Sequence, residues 1–127
     1  MREMKDLLFT NEHEWVEVQG DEAYVGLTDF ASKALGDIVF VELPEVDEEY
    51  SMGDSFGVVE SVKAAADMYM PLDGIITELN LELEDDPGQI NQAPLDNWFV
   101  KLKLTNKAQL DELMTPADYE RFCEQEA

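Results

Sequence analysis

Thirty acidic against eight basic residues give the 127-residue chain a formal charge of −22, which argues against nucleic acid phosphates and anionic lipid head groups as partners and favours proteins with basic patches. A hydrophobic content of 45% excludes a disordered acidic tail, and the length fits one domain over residues 1–127 that buries roughly two-thirds of its unfolded surface without disulfide or metal. No apolar run approaches the ~20 residues of a membrane span, the start MREMKDLLFTNEHEW lacks the apolar core and cleavage site of a secretory signal, and Cys123 has no internal partner for a disulfide.

The first half reads as β. Glu14-Trp15-Val16-Glu17-Val18 alternates polar and apolar, Gln19 to Glu22 is a turn, and Ala23-Tyr24-Val25-Gly26-Leu27 returns, so a hairpin is expected. Thr28 is placed as an N-cap, Phe30, Ala31, Ala34 and Leu35 as an apolar helical face, and Gly36 as the stop. Asp37 to Leu43 is rich in β-formers and ends at Pro44. A turn-rich Ser51 to Ser55 leads into the strand Phe56 to Val62, and Ala64 to Met70 runs back, so Lys63 falls at the tip of a second hairpin.

Gly74 to Asn80 predicts another strand. Leu81 to Asp86 reads as one helical turn with a solvated acidic face, stopped by Pro87-Gly88. Trp98 to Leu104 is a strand and Asn106 to Met114 a helix. Thr115-Pro116-Ala117-Asp118 then opens a last helix with an N-cap, a proline at its first position and an acid at its third. Tyr119, Phe122 and Cys123 share one face of it. Many short strands between Gly/Pro turns point to a mainly β fold, a small sandwich or barrel with flanking short helices and a C-terminal helical extension.

Lys63 stands in ESVKAAAD, one of few cations in an acidic chain. Small Ala64, Ala65 and Ala66 leave the tip uncluttered. A free lysine, with a pKa near 10.4, is a poor nucleophile at neutral pH, so acylating it requires an activated donor and an enzyme. The product amide is a long uncharged arm on a rigid base, which raises the local concentration of whatever the arm carries.

HEWV (13–16), VGLTDFA (25–31), LGDIVFVELPEV (35–46), GVVESVKAA (57–65), Met70 to Gly74, Pro87-Gly88-Gln89-Ile90-Asn91, Asn97-Trp98, and Leu113 with Tyr119 together resemble the H-protein family of the glycine cleavage system. The match runs from about residue 7 to 122, and several long motifs in one order are far more specific than a short pattern. The resemblance implies a lipoyl-domain-like barrel-sandwich hybrid of two small antiparallel sheets. It implies that Lys63 carries lipoic acid as lipoyl-lysine, installed by a lipoate ligase or octanoyltransferase. It further implies a non-catalytic carrier serving three enzymes. Glycine decarboxylase (P protein) loads the arm with an aminomethyl group. The aminomethyltransferase (T protein) removes the one-carbon unit. Dihydrolipoyl dehydrogenase (L protein) reoxidises the dithiol.

The family folds its loaded arm back on the body, and the motif positions make Glu14 and Asp67 candidates for docking the cationic amine. Position 12, small and polar in some members, is Glu12 here.

Three rivals stand beside this reading. Biotin acceptors place methionines on both sides of the lysine, whereas Val62 and Ala64 flank Lys63. A lipoate relay that donates its lipoyl group to other enzymes would have the same sequence features. An acidic adaptor would not need a lysine at position 63. His13 has no partner at metal-ligand spacing and reads as structural or surface, Trp15 and Trp98 as core anchors, Cys123 as a buried apolar residue. No nucleophile–base constellation, phosphate-cradling loop or clustered metal ligand set supports a catalytic role. The expected compartment is the bacterial cytoplasm, or the mitochondrial matrix for a processed eukaryotic form.

Overall fold

The period-two stretches become strands whose buried faces meet between two antiparallel sheets. The computed structural model describes residues 2–126. In chain order the strands are β1 (Leu8–Phe9), β2 (Glu14–Gln19), β3 (Glu22–Leu27), β4 (Ile38–Glu42), β5 (Glu49–Tyr50), β6 (Ser55–Ser61), β7 (Ala65–Tyr69), β8 (Gly74–Leu79) and β9 (Val100–Leu104). The helices are α1 (Asp29–Leu35), α2 (Glu82–Asp85), α3 (Gln89–Gln92) and α4 (Pro116–Glu126). One sheet has six strands in the order β1-β2-β3-β9-β8-β5, and the other has three in the order β4-β6-β7. Val25, Leu27, Ile76, Val100 and Leu102 of the larger sheet pack with Ile38, Val41, Val59 and Met68 of the smaller. Val25 with Leu27 and Val100 with Leu102 follow the side-chain period of two, whereas Ile38 and Val41 of β4 face inward on either side of an irregularity in its pairing with β6. The mainly β fold of two antiparallel sheets with a C-terminal helix is therefore as expected.

Helix α1 starts where Thr28 accepts a hydrogen bond from Ala31 N, and it stops at Gly36. Its inward residues are Ala31 and Ser32, with Phe30 and Leu35 half-buried and Ala34 exposed. Ser32 tolerates burial because its hydroxyl donates to Asp29 O at 3.0 Å. Helix α4 opens as its sequence predicts: Thr115 Oγ1 accepts from Asp118 N at 3.2 Å. Tyr119 is buried and stacks on Phe9 with ring centroids 4.5 Å apart, while Phe122 and Cys123 are half-buried.

Three expectations are corrected. Asn106 to Met114 is not an α-helix; Lys107–Glu112 is a 3-10 helix. The chain must turn extended at Leu113 so that Met114 can pair with Phe9, and this leaves no room for regular helical turns. Trp98 and Phe99 precede β9 rather than belonging to it. The acidic run Leu81 to Asp86 is not merely solvated, since Leu83 is fully buried in the main core. The two-residue strands β1 and β5 and the single turn α3 are too short to carry a period.

Trp15 is fully buried, and its ring packs flat on Gly26, its cross-strand partner. A Cβ at position 26 would sit 2.4 Å from the ring carbons. The ring cannot yield easily, because its Nε1 donates to Pro94 O at 3.1 Å and the Arg2 guanidinium covers it at 5.0 Å. Overpacking of this kind costs about 1–3 kcal/mol. Gly26→Ala is expected to lower unfolding stability by about that amount in urea titration, with the m-value unchanged.

Candidate functional site

The hairpin β6–β7 presents Lys63. Its strands are paired up to Glu60–Ala65, and Ser61 N donates to Ala64 O at 2.7 Å, leaving Val62 and Lys63 as a two-residue loop. Such loops commonly use residues at positive φ. Neither Val62 nor Lys63 has one, as expected for a β-branched and a long side chain. The Ser61 side chain supplies the missing closure. Its Oγ accepts from both Lys63 N and Ala64 N at 3.1 Å and donates to Ala64 O at 3.2 Å. Val62 N donates to Asp37 O at 3.0 Å, tying the tip to the turn between α1 and β4.

That turn is shaped around the lysine. Gly36 has φ +82°, and a Cβ there would lie 2.9 Å from Lys63 Cε. The stem of Lys63 therefore passes directly over a position where a side chain would block it. Asn91 of α3 holds the turn from behind: Nδ2 donates to Gly36 O at 2.8 Å and Oδ1 accepts from Ile38 N at 2.9 Å. Sequence reasoning placed Lys63 at the tip of this hairpin but named neither support. Ser61 carried a usable signal, because a serine beside a turn can cap it locally. Asn91 carried none, since its partners lie 53 and 55 residues away.

A groove of about 530 Å³ runs between α1 and β7, with Phe30, Ala31, Ala34 and Leu35 on one wall and Ala65 to Tyr69 on the other. Glu12, His13 and Glu126 also line it. Leu35 adjoins Gly36 and Ala65 adjoins the tip, so the groove begins beside Lys63. Asp67 is exposed on its wall, and the Asp67 carboxylate raises the pKa of Tyr69 above the usual tyrosine range.

Glu14 does not line that groove. It faces a neighbouring cavity of about 450 Å³ with Phe9, Met52, Met70 and Met114. Tyr69 and Glu12 border both spaces, so the structure does not bring Glu14 and Asp67 into one pocket but sets Tyr69 between them. Glu14 is only 1% exposed. Its Oε1 accepts from Thr10 Oγ1 at 2.9 Å and its Oε2 from Tyr69 N at 2.8 Å. It thus joins β2 of the larger sheet to β7 of the smaller. Burial pushes its pKa up to about 8; the two hydrogen bonds oppose this, and the charge of Glu12 adds to it.

His13 is structural, at φ +66°. Its Nδ1 is 2.8 Å from the Tyr119 hydroxyl and its Nε2 is 2.6 Å from Glu126 Oε2. The same hydroxyl is 2.7 Å from Thr28 Oγ1, so one chain of polar groups fastens α4 to the N-cap of α1. Burial holds the Tyr119 hydroxyl well above the usual phenol range.

A small two-sheet β module that holds one lysine on a braced hairpin tip, with a groove leading away from it, defines the class of single-lysine carrier modules. The comparisons specify the class further. The glycine cleavage H-protein model matches residues 7–126, and the chain belongs to that family. It is 52% identical to the glycine cleavage system H protein of Alkaliphilus oremlandii over 127 residues, covering 100% of both chains. It is also 52% identical to that of Carboxydothermus hydrogenoformans over 123 residues, covering 96% of this chain and 95% of the relative. The crystal structure of a glycine cleavage system H protein from Mycobacterium marinum superposes with a TM-score of 0.83 at 37% identity, covering 96% and 97% of the two chains.

The environment of Glu14 has a pH signature. Its folded pKa of about 8 lies above the ordinary 4.5, so the folded state holds the proton through a range where the unfolded chain has released it. Its contribution is intact below the ordinary value and is lost as pH rises through the folded one. Glu14→Gln removes this loss. The stability of the variant relative to the parent is expected to grow between about pH 5 and pH 8, by at most about 1.4 kcal/mol per unit, in parallel denaturant titrations. A difference that stays flat across that range would show that the carboxyl is not shifted upward.

Proposed function

We propose that Lys63 is acylated by lipoic acid and that the chain carries aminomethyl groups and electrons within the glycine cleavage system. The supporting observation is the tip itself: an exposed lysine on a loop closed by Ser61, with its stem clear of side chains at Gly36. Lys63 makes no ion pair within 4 Å among the described residues, so its Nζ is available to an incoming acyl donor. The groove beside it fits an aliphatic arm, having apolar walls from Leu27, Leu35, Val59 and Met68. When bound, the group supplies a strained disulfide that accepts two electrons together with a carbon unit.

This chain's residues orient and protect. Ser61 and Asp37 hold the tip still, so the origin of the arm is defined while its length stays free. The walls of α1 and β7 exclude water from whatever lies between them. Asp67 and Glu12 offer negative charge to a cationic amine in the groove. Glu14 lies behind Tyr69, and a cation near it would favour its ionised form. We read Asp67 and Glu14 as the docking acids on these grounds, and residues 1–127 as one carrier domain. The chain itself acts as a non-catalytic subunit. Glycine decarboxylase, the aminomethyltransferase and dihydrolipoyl dehydrogenase work on the arm, and a lipoate ligase or octanoyltransferase installs it. The bacterial origin of the relatives supports the cytoplasm as its compartment.

Intact mass and peptide mapping after incubation with lipoate ligase, lipoate and ATP test the attachment. One lipoyl amide on Lys63 is expected, and none on Lys63→Arg, because the guanidinium stays protonated. An unmodified parent chain beside a competent control acceptor would sink the carrier reading. If Lys63 is acylated but glycine decarboxylase cannot load the arm from glycine, the lipoate relay replaces glycine cleavage.

A further inference from the structure

Three large apolar side chains lie exposed at the lysine end of the smaller sheet: Val39 at 56%, Phe40 at 49% and Val62 at 67%. Their exposure has a specific cause. The pairing of β4 with β6 slips between Ile38–Ser61 and Phe40–Glu60, so Val39 is an extra, bulged residue. Bulges re-aim side chains. Here the slip turns two consecutive apolar residues outward, while Ile38 and Val41 on either side remain buried. Phe40 stands in a cross-strand row with Glu60 and Ala65. The hydrogen bond from Val62 N to Asp37 O brings the tip beside the start of β4.

The rim of this patch has one sign. Exposed Asp37, Glu42 and Glu60 surround it, and β4, β6 and β7 contain no lysine or arginine. Lys63 follows Val62 at its edge. A second copy of this chain is excluded as the occupant, because two such rims would repel each other. Addition of a strand to the edge of β4 is obstructed by the bulge and the charges.

We propose that Val39, Phe40 and Val62 form the docking surface for the enzyme that acylates Lys63, a partner with an apolar depression rimmed by lysine and arginine around its lysine channel. The inference rests on the reading of Lys63 as an acyl acceptor. Distance selects this partner. An enzyme that must draw Nζ into its active site necessarily covers Val62 and the adjoining turn, whereas an enzyme working at the end of a long arm need not. Apolar anchors inside a charged rim supply affinity and approach rate respectively.

The test is steady-state lipoylation of the full chain by lipoate ligase with lipoate and ATP, comparing the parent with V39S/F40S. Both positions are exposed, and thermal melts verify that the fold is kept. The double variant is expected to lose about tenfold or more in kcat/KM, chiefly through KM. Phe40→Leu should keep most of the activity, and added salt should raise KM for the parent chain. After prolonged incubation to full lipoylation, loading of the variant by glycine decarboxylase is expected within about twofold of the parent. A double variant acylated as efficiently as the parent overturns the proposal. So does an equal loss in decarboxylase loading, which would assign the patch to enzymes that use the arm. A parent chain left unacylated at Lys63 removes the attachment reading and this proposal with it, whereas a well-acylated parent with an indifferent variant removes the docking surface alone.

Discussion

The closure of one turn by the Ser61 hydroxyl sets the geometry on which the rest of the site depends. A lysine offered to other proteins has to be exposed, and exposed loop tips are normally mobile. Here a single hydroxyl fixes the loop, accepting from Lys63 N and Ala64 N and donating to Ala64 O. Val62 N adds a fourth hydrogen bond, to Asp37 O outside the hairpin. The side chain of Lys63 remains free while its backbone does not. A long arm on such a base samples a defined volume, and that is the condition for one group to reach several active sites without being lost to solvent.

Beneath the tip, the two sheets are held together by apolar packing, with Val59 and Met68 of the hairpin buried against Leu27 and Ile76. Farther from the tip, Glu14 adds a polar bridge from β2 to Tyr69 N. A carboxyl there is costly as an anion, which is why burial raises its pKa despite two hydrogen bonds. The same carboxyl lies one residue, Tyr69, away from the groove that begins at Lys63. Structural joint and potential charge partner are thus one group, and its protonation links the seam between the sheets to what occupies the space nearby.

The net charge of −22 is not spread without pattern. Lys101 and Lys103 lie on β9 of the larger sheet, and Lys101 pairs with Glu22 and Glu78 there. The smaller sheet has acids and apolar residues but no cation. The acids of these strands thus have no lysine or arginine within their own sheet, and the surface they form favours basic partners.

Much of this was legible in residue order. Alternation at 14–18 and 23–27 encodes the first hairpin, Thr28 and Gly36 bracket α1, and Thr115-Pro116 opens α4, because period and capping are local physics. ESVKAA within its longer motifs singled out Lys63 for the same reason: the pattern on which the proposed attachment rests is contiguous. What tertiary structure decided involves partners distant in sequence. Asn91 acts on a turn 53 to 55 residues away. Leu83 is core because β4 and its neighbours arrive above it. Glu14 and Asp67 look equivalent as acids in a sequence. Only the meeting of β2 with β7 buries one carboxyl, leaves the other on the groove wall and places Tyr69 between them. Local propensity and pattern could name the elements and the lysine. The dielectric around each acid, the seat for the lysine stem and the outward turn of Val39 and Phe40 came from long-range pairing, which no window of sequence contains.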